Sequence, residues 1–147
     1  LLIGLWRDLP GFLWSVTDPL VVNVIWTVFW FGWVYLLASS FAINHFDLFG
    51  LRQVYMHYLN RPLPPLKFVK TAMYRFTRHP IQTGVLIGVW VTPVMTTTQL
   101  VLSLGFTVYI FIGLWFEERD LVKAIGAPYV QYHQEAGKVF PKLFGRP

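Results

Sequence analysis

A chain of 147 residues that is 55% hydrophobic, 18% aromatic and only 13% charged, with a mean hydropathy of +0.50, is too apolar for a soluble domain of this length. Its net charge of +5 comes from basic residues that flank apolar runs instead of forming a solvated basic domain, which argues against nucleic acid as a partner. There is no cysteine, so a disulfide framework and a thiolate metal site are both excluded for this chain.

Residues 1–18 form a short apolar start broken by Arg7-Asp8, Pro10-Gly11 and Asp18-Pro19. This suits the end of an earlier helix followed by a loop, and the opening reads as the continuation of something upstream, without a signal peptide. Residues 19–46 carry no formal charge. At about 1.5 Å per residue this run is long enough to cross a hydrocarbon core of roughly 30 Å, and it is the first expected span.

From Asp47 to Arg78 the basic residues Arg52, Arg61, Lys67, Lys70, Arg75 and Arg78 have no acid between them. That bias marks the cytoplasmic side. Pro62, Pro64 and Pro65 interrupt the segment, and an interfacial helix is expected over 66–78, with Phe68, Val69, Ala72, Met73 and Phe76 on one apolar face.

Residues 81–116 contain no Asp, Glu, Lys or Arg and read as a helical hairpin that turns at Thr96-Thr97-Thr98-Gln99. Its first arm, interrupted by Thr92-Pro93, is short for a full crossing. The hairpin returns the mixed-charge tail, 117–147, to the side of the basic linker, so Arg78-His79 and Glu117-Glu118 are expected together at its open end. Within the tail a helix continues to about Ile125, stops at Gly126 before Pro128, and gives way to a last short helix carrying Tyr129, Tyr132 and His133. The whole reads as one all-α, polytopic membrane domain over 1–147: a long span, a helical hairpin and a cytoplasmic helical tail.

Three clusters carry chemistry. Arg78-His79-Pro80 followed by Gln82 and Gly84 supplies a guanidinium, an imidazole, a helix-starting proline and a glycine that allows close approach of a ligand or another helix; headgroup anchoring plus a Pro-started helix explains it about as well. Glu117-Glu118-Arg119-Asp120 follows an apolar arm directly. A solvated helix end with an Asp120–Lys123 pair accounts for part of it, and a Glu facing the hairpin mouth would be a counter-charge for a cationic ligand or for Arg78. At the end of the first span, His45, Asp47 and Arg52 could supply a base or orient a substrate, although Arg52 alone suits the headgroups. The four histidines show no metal-ligand spacing, and there is neither a Gly-rich phosphate loop nor a G-x-S-x-G elbow.

Taken in order, Arg78-His79-Pro80-Ile81-Gln82-Thr83-Gly84, Glu117-Glu118-Arg119-Asp120-Leu121, Gly126, Tyr129, Tyr132 and Pro141 resemble the cofactor-binding half of the isoprenylcysteine carboxyl methyltransferase superfamily. Gln82 stands where the isoprenylcysteine enzymes have tyrosine. With the 44–53 and 90–96 stretches, this makes the chain similar to the bacterial methanethiol S-methyltransferases and NnrU-like membrane proteins, of which it looks like the C-terminal portion.

The resemblance implies S-adenosylmethionine as cofactor and methyl transfer to methanethiol, giving dimethyl sulfide, in the bacterial inner membrane. It places the cofactor on Arg78, His79, Pro80, Gln82, Gly84, Glu117, Glu118, Tyr129 and Tyr132. A ligand bearing a carboxylate, an ammonium and a sulfonium needs both signs of charge, which these residues offer. An alkyl thiol is largely protonated at neutral pH, so His45, Asp47 and Arg52 are the expected acceptor side. The expected partners are a small thiol, the lipid bilayer, and either another copy or missing N-terminal spans. Two alternatives stand beside this reading: an NADPH-dependent membrane reductase of similar architecture, and an accessory protein that uses the same motifs for structure.

Overall fold

The computed structural model describes residues 7–43, 50–62 and 72–142. In chain order the elements are β1 (Phe12–Ser15), α1 (Pro19–Ile43), α2 (Leu51–Tyr58), a 3-10 turn (Ala72–Arg75), α3 (Pro80–Trp90), β2 (Val94–Thr96), α4 (Thr97–Ile125) and α5 (Ala127–Glu135). The protein is an all-α membrane protein, with one small strand pair among the described residues.

Helix α1 starts where Asp18 accepts the backbone N–H groups of Leu20 and Val21, each at 3.0 Å, with Pro19 at the first turn. Its 25 residues run about 37 Å. Both α1 and α4 are long and apolar enough to cross a membrane, and both leave large side chains such as Trp30, Phe31, Phe111 and Trp115 exposed. Helices so apolar and so little buried need lipid around them.

Helix α3 packs chiefly against α1. At the crossing Gly84 lies so close that an added Cβ would stand 2.6 Å from the Gly32 carbonyl oxygen and 2.7 Å from the Leu36 Cβ. Backbones meet at small residues, as they do between membrane helices.

With 11 residues, α3 covers only about 16 Å. The extended stretch 91–96 supplies the remaining length beside α4. Its backbone cannot pair within itself, and β1 covers it: Phe12 pairs with Thr96, Trp14 with Met95 and Ser15 with Val94, antiparallel. Side chains complete the accounting, since Ser103 Oγ and Gln99 Nε2 both donate to the Val89 carbonyl and Trp14 Nε1 donates to that of Thr92. Backbone that leaves the helix in so apolar a setting needs partners of this kind.

Of the helix end and loop expected at the N-terminus, residues 1–6 lie outside the described residues, and within the expected loop Phe12–Ser15 is a strand, because the short α3 leaves carbonyls and amides that it satisfies. The hairpin turn also differs. Thr96 ends β2 and caps α4, its Oγ1 accepting from the Gln99 N–H at 3.1 Å. Of the interfacial helix expected over 66–78, residues 66–71 lie outside the described residues, and 72–75 form the 3-10 turn that packs against α1. Helix α2, unforeseen, occupies part of the basic linker and buries none of its residues.

At the other end of the hairpin α4 continues past the apolar run to Ile125. Gly126 stops it with φ +74°, and α5 follows with Pro128 in its first turn. Exposed Lys123 and Asp120 pair at 3.4 Å, as their spacing predicts.

Candidate functional site

Residues 76–79 run alongside residues 137–139 in a short parallel pairing. The Arg78 N–H donates to the Gly137 carbonyl at 2.8 Å, the Gly137 N–H to Phe76 at 3.1 Å and the His79 N–H to Lys138 at 3.1 Å. A Cβ at Gly137 would fall 1.8 Å from the Phe140 carbonyl oxygen, so only glycine makes the turn that brings this strap in. Thr83 adds a hydroxyl donated to the Val139 carbonyl, and Tyr132 donates its hydroxyl to Tyr74 and Thr77.

Arg78 is the centre of this clasp. Its Nε donates to Glu118 Oε1 at 2.8 Å, and its terminal nitrogen donates to the carbonyls of His133 and Ala136, both at 2.7 Å. The guanidinium thus ties α4 to the last turn of α5, where a cation also suits the exposed carbonyls of the helix end. Glu118 receives three further groups: His79 Nε2 at 3.2 Å, Lys138 Nζ at 3.2 Å and His133 Nε2 at 3.7 Å. A carboxylate removed from water is held by such charge-assisted contacts.

The adjacent glutamate has another environment. On α4 the buried positions Ile110, Leu114 and Glu118 recur every fourth residue, so Glu118 extends the packed face. Glu117 sits about 100° further round and follows Gly113. It is half-exposed, with Oε2 3.8 Å from His79 Nδ1.

Glu117 stands at one end of a groove of about 370 Å³ between α3 and α4, walled by Ile81, Gln82, Val85, Phe106, Ile110 and Leu114 and reaching Tyr109 and Gly113. Gln82, Tyr109 and Glu117 contribute its polar groups, and the rest of the lining is apolar.

His79 lies between the two glutamates and is only 3% exposed in its side chain. Burial holds its imidazole below the ordinary range, with the contact to Glu118 acting in the opposite sense. Burial pushes the Tyr132 phenol up to about 12 and that of Tyr129 higher still, so both stay protonated.

The expected residues therefore divide. Arg78, His79, Glu118, Tyr129 and Tyr132 come together in or beside the clasp; Pro80 is buried at the start of α3; Gly84 is taken up by the α1 crossing; Gln82 and Glu117 reach the groove. His45 and Asp47 lie outside the described residues. Arg52 is exposed on α2. Lys138, His133, Thr83 and Tyr74 join the clasp without having been anticipated, as Tyr109 and Gly113 join the groove. Among the described residues no group of three or more His, Asp or Glu is placed to hold a metal ion.

The chain is 43% identical over 141 residues to the methanethiol S-methyltransferase of Mycobacterium tuberculosis, an alignment that covers 96% of this chain and 58% of that protein. It is 42% identical over 141 residues to methanethiol S-methyltransferase 1 of Bradyrhizobium diazoefficiens, covering 96% of this chain and 50% of that one.

The chain is a relative of the methanethiol S-methyltransferases.

It spans between 50% and 58% of the length of these two relatives. A more distant similarity, 29% over 110 residues, links it to Nurim of Rattus norvegicus, with 74% of this chain and 41% of Nurim covered. No family profile matches the chain, and no solved structure does. The resemblance stated from the Arg78-His79-Pro80 and Glu117-Glu118 stretches is thus supported by relatives aligned along nearly the whole chain.

Proposed function

We propose that the chain is part of an integral-membrane methyltransferase that uses S-adenosylmethionine and a small thiol, methanethiol, to form dimethyl sulfide. The observation that carries this reading is the similarity to methanethiol S-methyltransferases over 96% of the chain. The groove supports it independently. A sulfonium donor needs an anion for its cationic end and apolar walls that exclude water, and Glu117, Gln82 and the surrounding aliphatic side chains form that set in about 370 Å³. The donor set fits.

S-adenosylmethionine would supply a methyl group activated by its positive sulfur; the chain's own residues bind, orient and exclude water. Glu117 and Gln82 would hold the cationic end. Arg78, His79, Glu118, Tyr129 and Tyr132 would act one step back, fixing the strap and the C-terminal helix beside the groove, while Pro80 and Gly84 fix α3. The proton lost by the thiol needs an acceptor, and His45 and Asp47 with Arg52 remain the proposal for it, resting on sequence. The charge bias of the linker supports an orientation with residues 47–78 and the tail on the cytoplasmic face of a bacterial inner membrane.

The test is equilibrium binding of labelled S-adenosylmethionine to the full-length protein in nanodiscs, with NADPH as competitor, followed by label transfer to methanethiol. Saturable binding unaffected by NADPH, with label in the thioether, is expected. Displacement by NADPH would turn the reading to the reductase; binding without transfer would turn it to the accessory protein.

A further inference from the structure

The groove carries Glu117, Gln82 and the Tyr109 phenol among otherwise apolar walls. One turn away from Glu117, about 6 Å along α4, lies Gly113. Its other walls at this depth, Val85, Ile110 and Leu114, are all branched aliphatic side chains.

Glycine inside a helix is less favourable than alanine, and one that lines a groove leaves space there that a side chain would fill. Gly84 has a packing reason, because a Cβ there would meet the α1 backbone at 2.6 Å. Gly113 does not: a Cβ there would meet no atom within 4 Å. The space it leaves opens on the groove. Gly105, on the same helix, is equally open but is not among the groove's lining residues, which makes it a matched control.

We propose that Gly113 sets the size of the methyl acceptor, leaving room beside Glu117 for the alkyl group of a thiol of one or a few carbons. The inference rests on the methyltransferase reading and deepens it. A side chain at 113 points into the volume that the alkyl group needs without disturbing the contact of α3 with α4. The aliphatic walls offer contact surface to a small apolar acceptor.

The experiment compares wild type, Gly113→Ala, Gly113→Leu and Gly105→Leu in the full-length protein. Two readouts are used: KM and kcat for methane-, ethane- and propanethiol, and direct binding of dimethyl and dipropyl sulfide, which do not turn over, by ligand-observed NMR. Gly113→Leu is expected to raise KM for methanethiol by about tenfold or more and to lose the longer thiols and sulfides. Gly113→Ala should lose the longest first, and Gly105→Leu should match wild type. If Gly113→Leu keeps the wild-type thiol profile and sulfide binding, the proposal is wrong while the methyltransferase reading stands. If wild type binds neither S-adenosylmethionine nor any sulfide, the methyltransferase reading itself fails. Should Gly113→Leu unfold at a lower temperature than Gly105→Leu, the open position is not open, and that too overturns the proposal.

Discussion

Arg78 and Glu118, forty positions apart in sequence, meet at 2.8 Å with both side chains largely buried. The contact joins the entrance of α3 to the far end of α4, and the same guanidinium holds two carbonyls at the end of α5. Charge at the open end of the hairpin is therefore spent first on holding the C-terminal strap in place.

Breaking that pair from one side should be costly. Glu118→Gln leaves Arg78 buried without its counter-charge, and losses of about 3–5 kcal/mol are usual for such a change. A clear drop in the thermal unfolding midpoint in detergent is expected, with the strap around Lys138 becoming susceptible to trypsin. Arg78→Lys should show the same pattern, because an ammonium cannot reach Glu118 and two carbonyls in the guanidinium's fixed geometry.

Gly84→Ala tests the α1–α3 crossing. The added methyl would have to displace the Gly32 carbonyl or the Leu36 backbone, and overpacking of this kind costs about 1–3 kcal/mol. Gly105→Ala, where space is open, should leave the midpoint unchanged or slightly raised.

The pH dependence follows from His79. Its folded pKa is depressed by burial, so as pH falls through about 6.5 the unfolded chain binds the proton before the folded one does. Stability is therefore full above that value and declines below it, by at most about 1.4 kcal/mol per pH unit for one group. Unfolding midpoints recorded from pH 7.5 to 5.5 should fall for wild type and fall less steeply for His79→Gln.

Tyr132→Phe removes a buried donor from the carbonyls of Tyr74 and Thr77. A loss of about 1–3 kcal/mol is expected, since acceptors are left without a partner. Tyr129→Phe, measured in parallel, reports whether the neighbouring phenol contributes similarly.

Much of this was readable in the chain. The uncharged run after Pro19, the helix stop at Gly126 and the short last helix follow from composition and from Gly and Pro positions, and α1, α4 and α5 lie close to where these place them. The pairing of Phe12–Ser15 with Val94–Thr96 was hidden, because four residues carry no periodic signal and their partner is some eighty residues away. The two glutamates were legible as a cluster but read as equals. The recurrence of Ile110, Leu114 and Glu118 every fourth residue, with Glu117 following Gly113 instead, was the available sign that one is packed and the other faces the groove. Lys138 and His133 gave no such sign, since their roles depend on the turn at Gly137 that carries the strap back to Arg78.

The most direct measurement supplies membranes containing the full-length protein with methyl-labelled S-adenosylmethionine and methanethiol and follows labelled dimethyl sulfide in the headspace, for wild type and for Glu117→Gln. The account predicts labelled product from wild type and at least tenfold less from Glu117→Gln, whose fold should be intact because its carboxylate is half-exposed beside the groove. Undiminished product from Glu117→Gln would contradict the placement of the donor in the groove, and no product from wild type would contradict the methyltransferase itself.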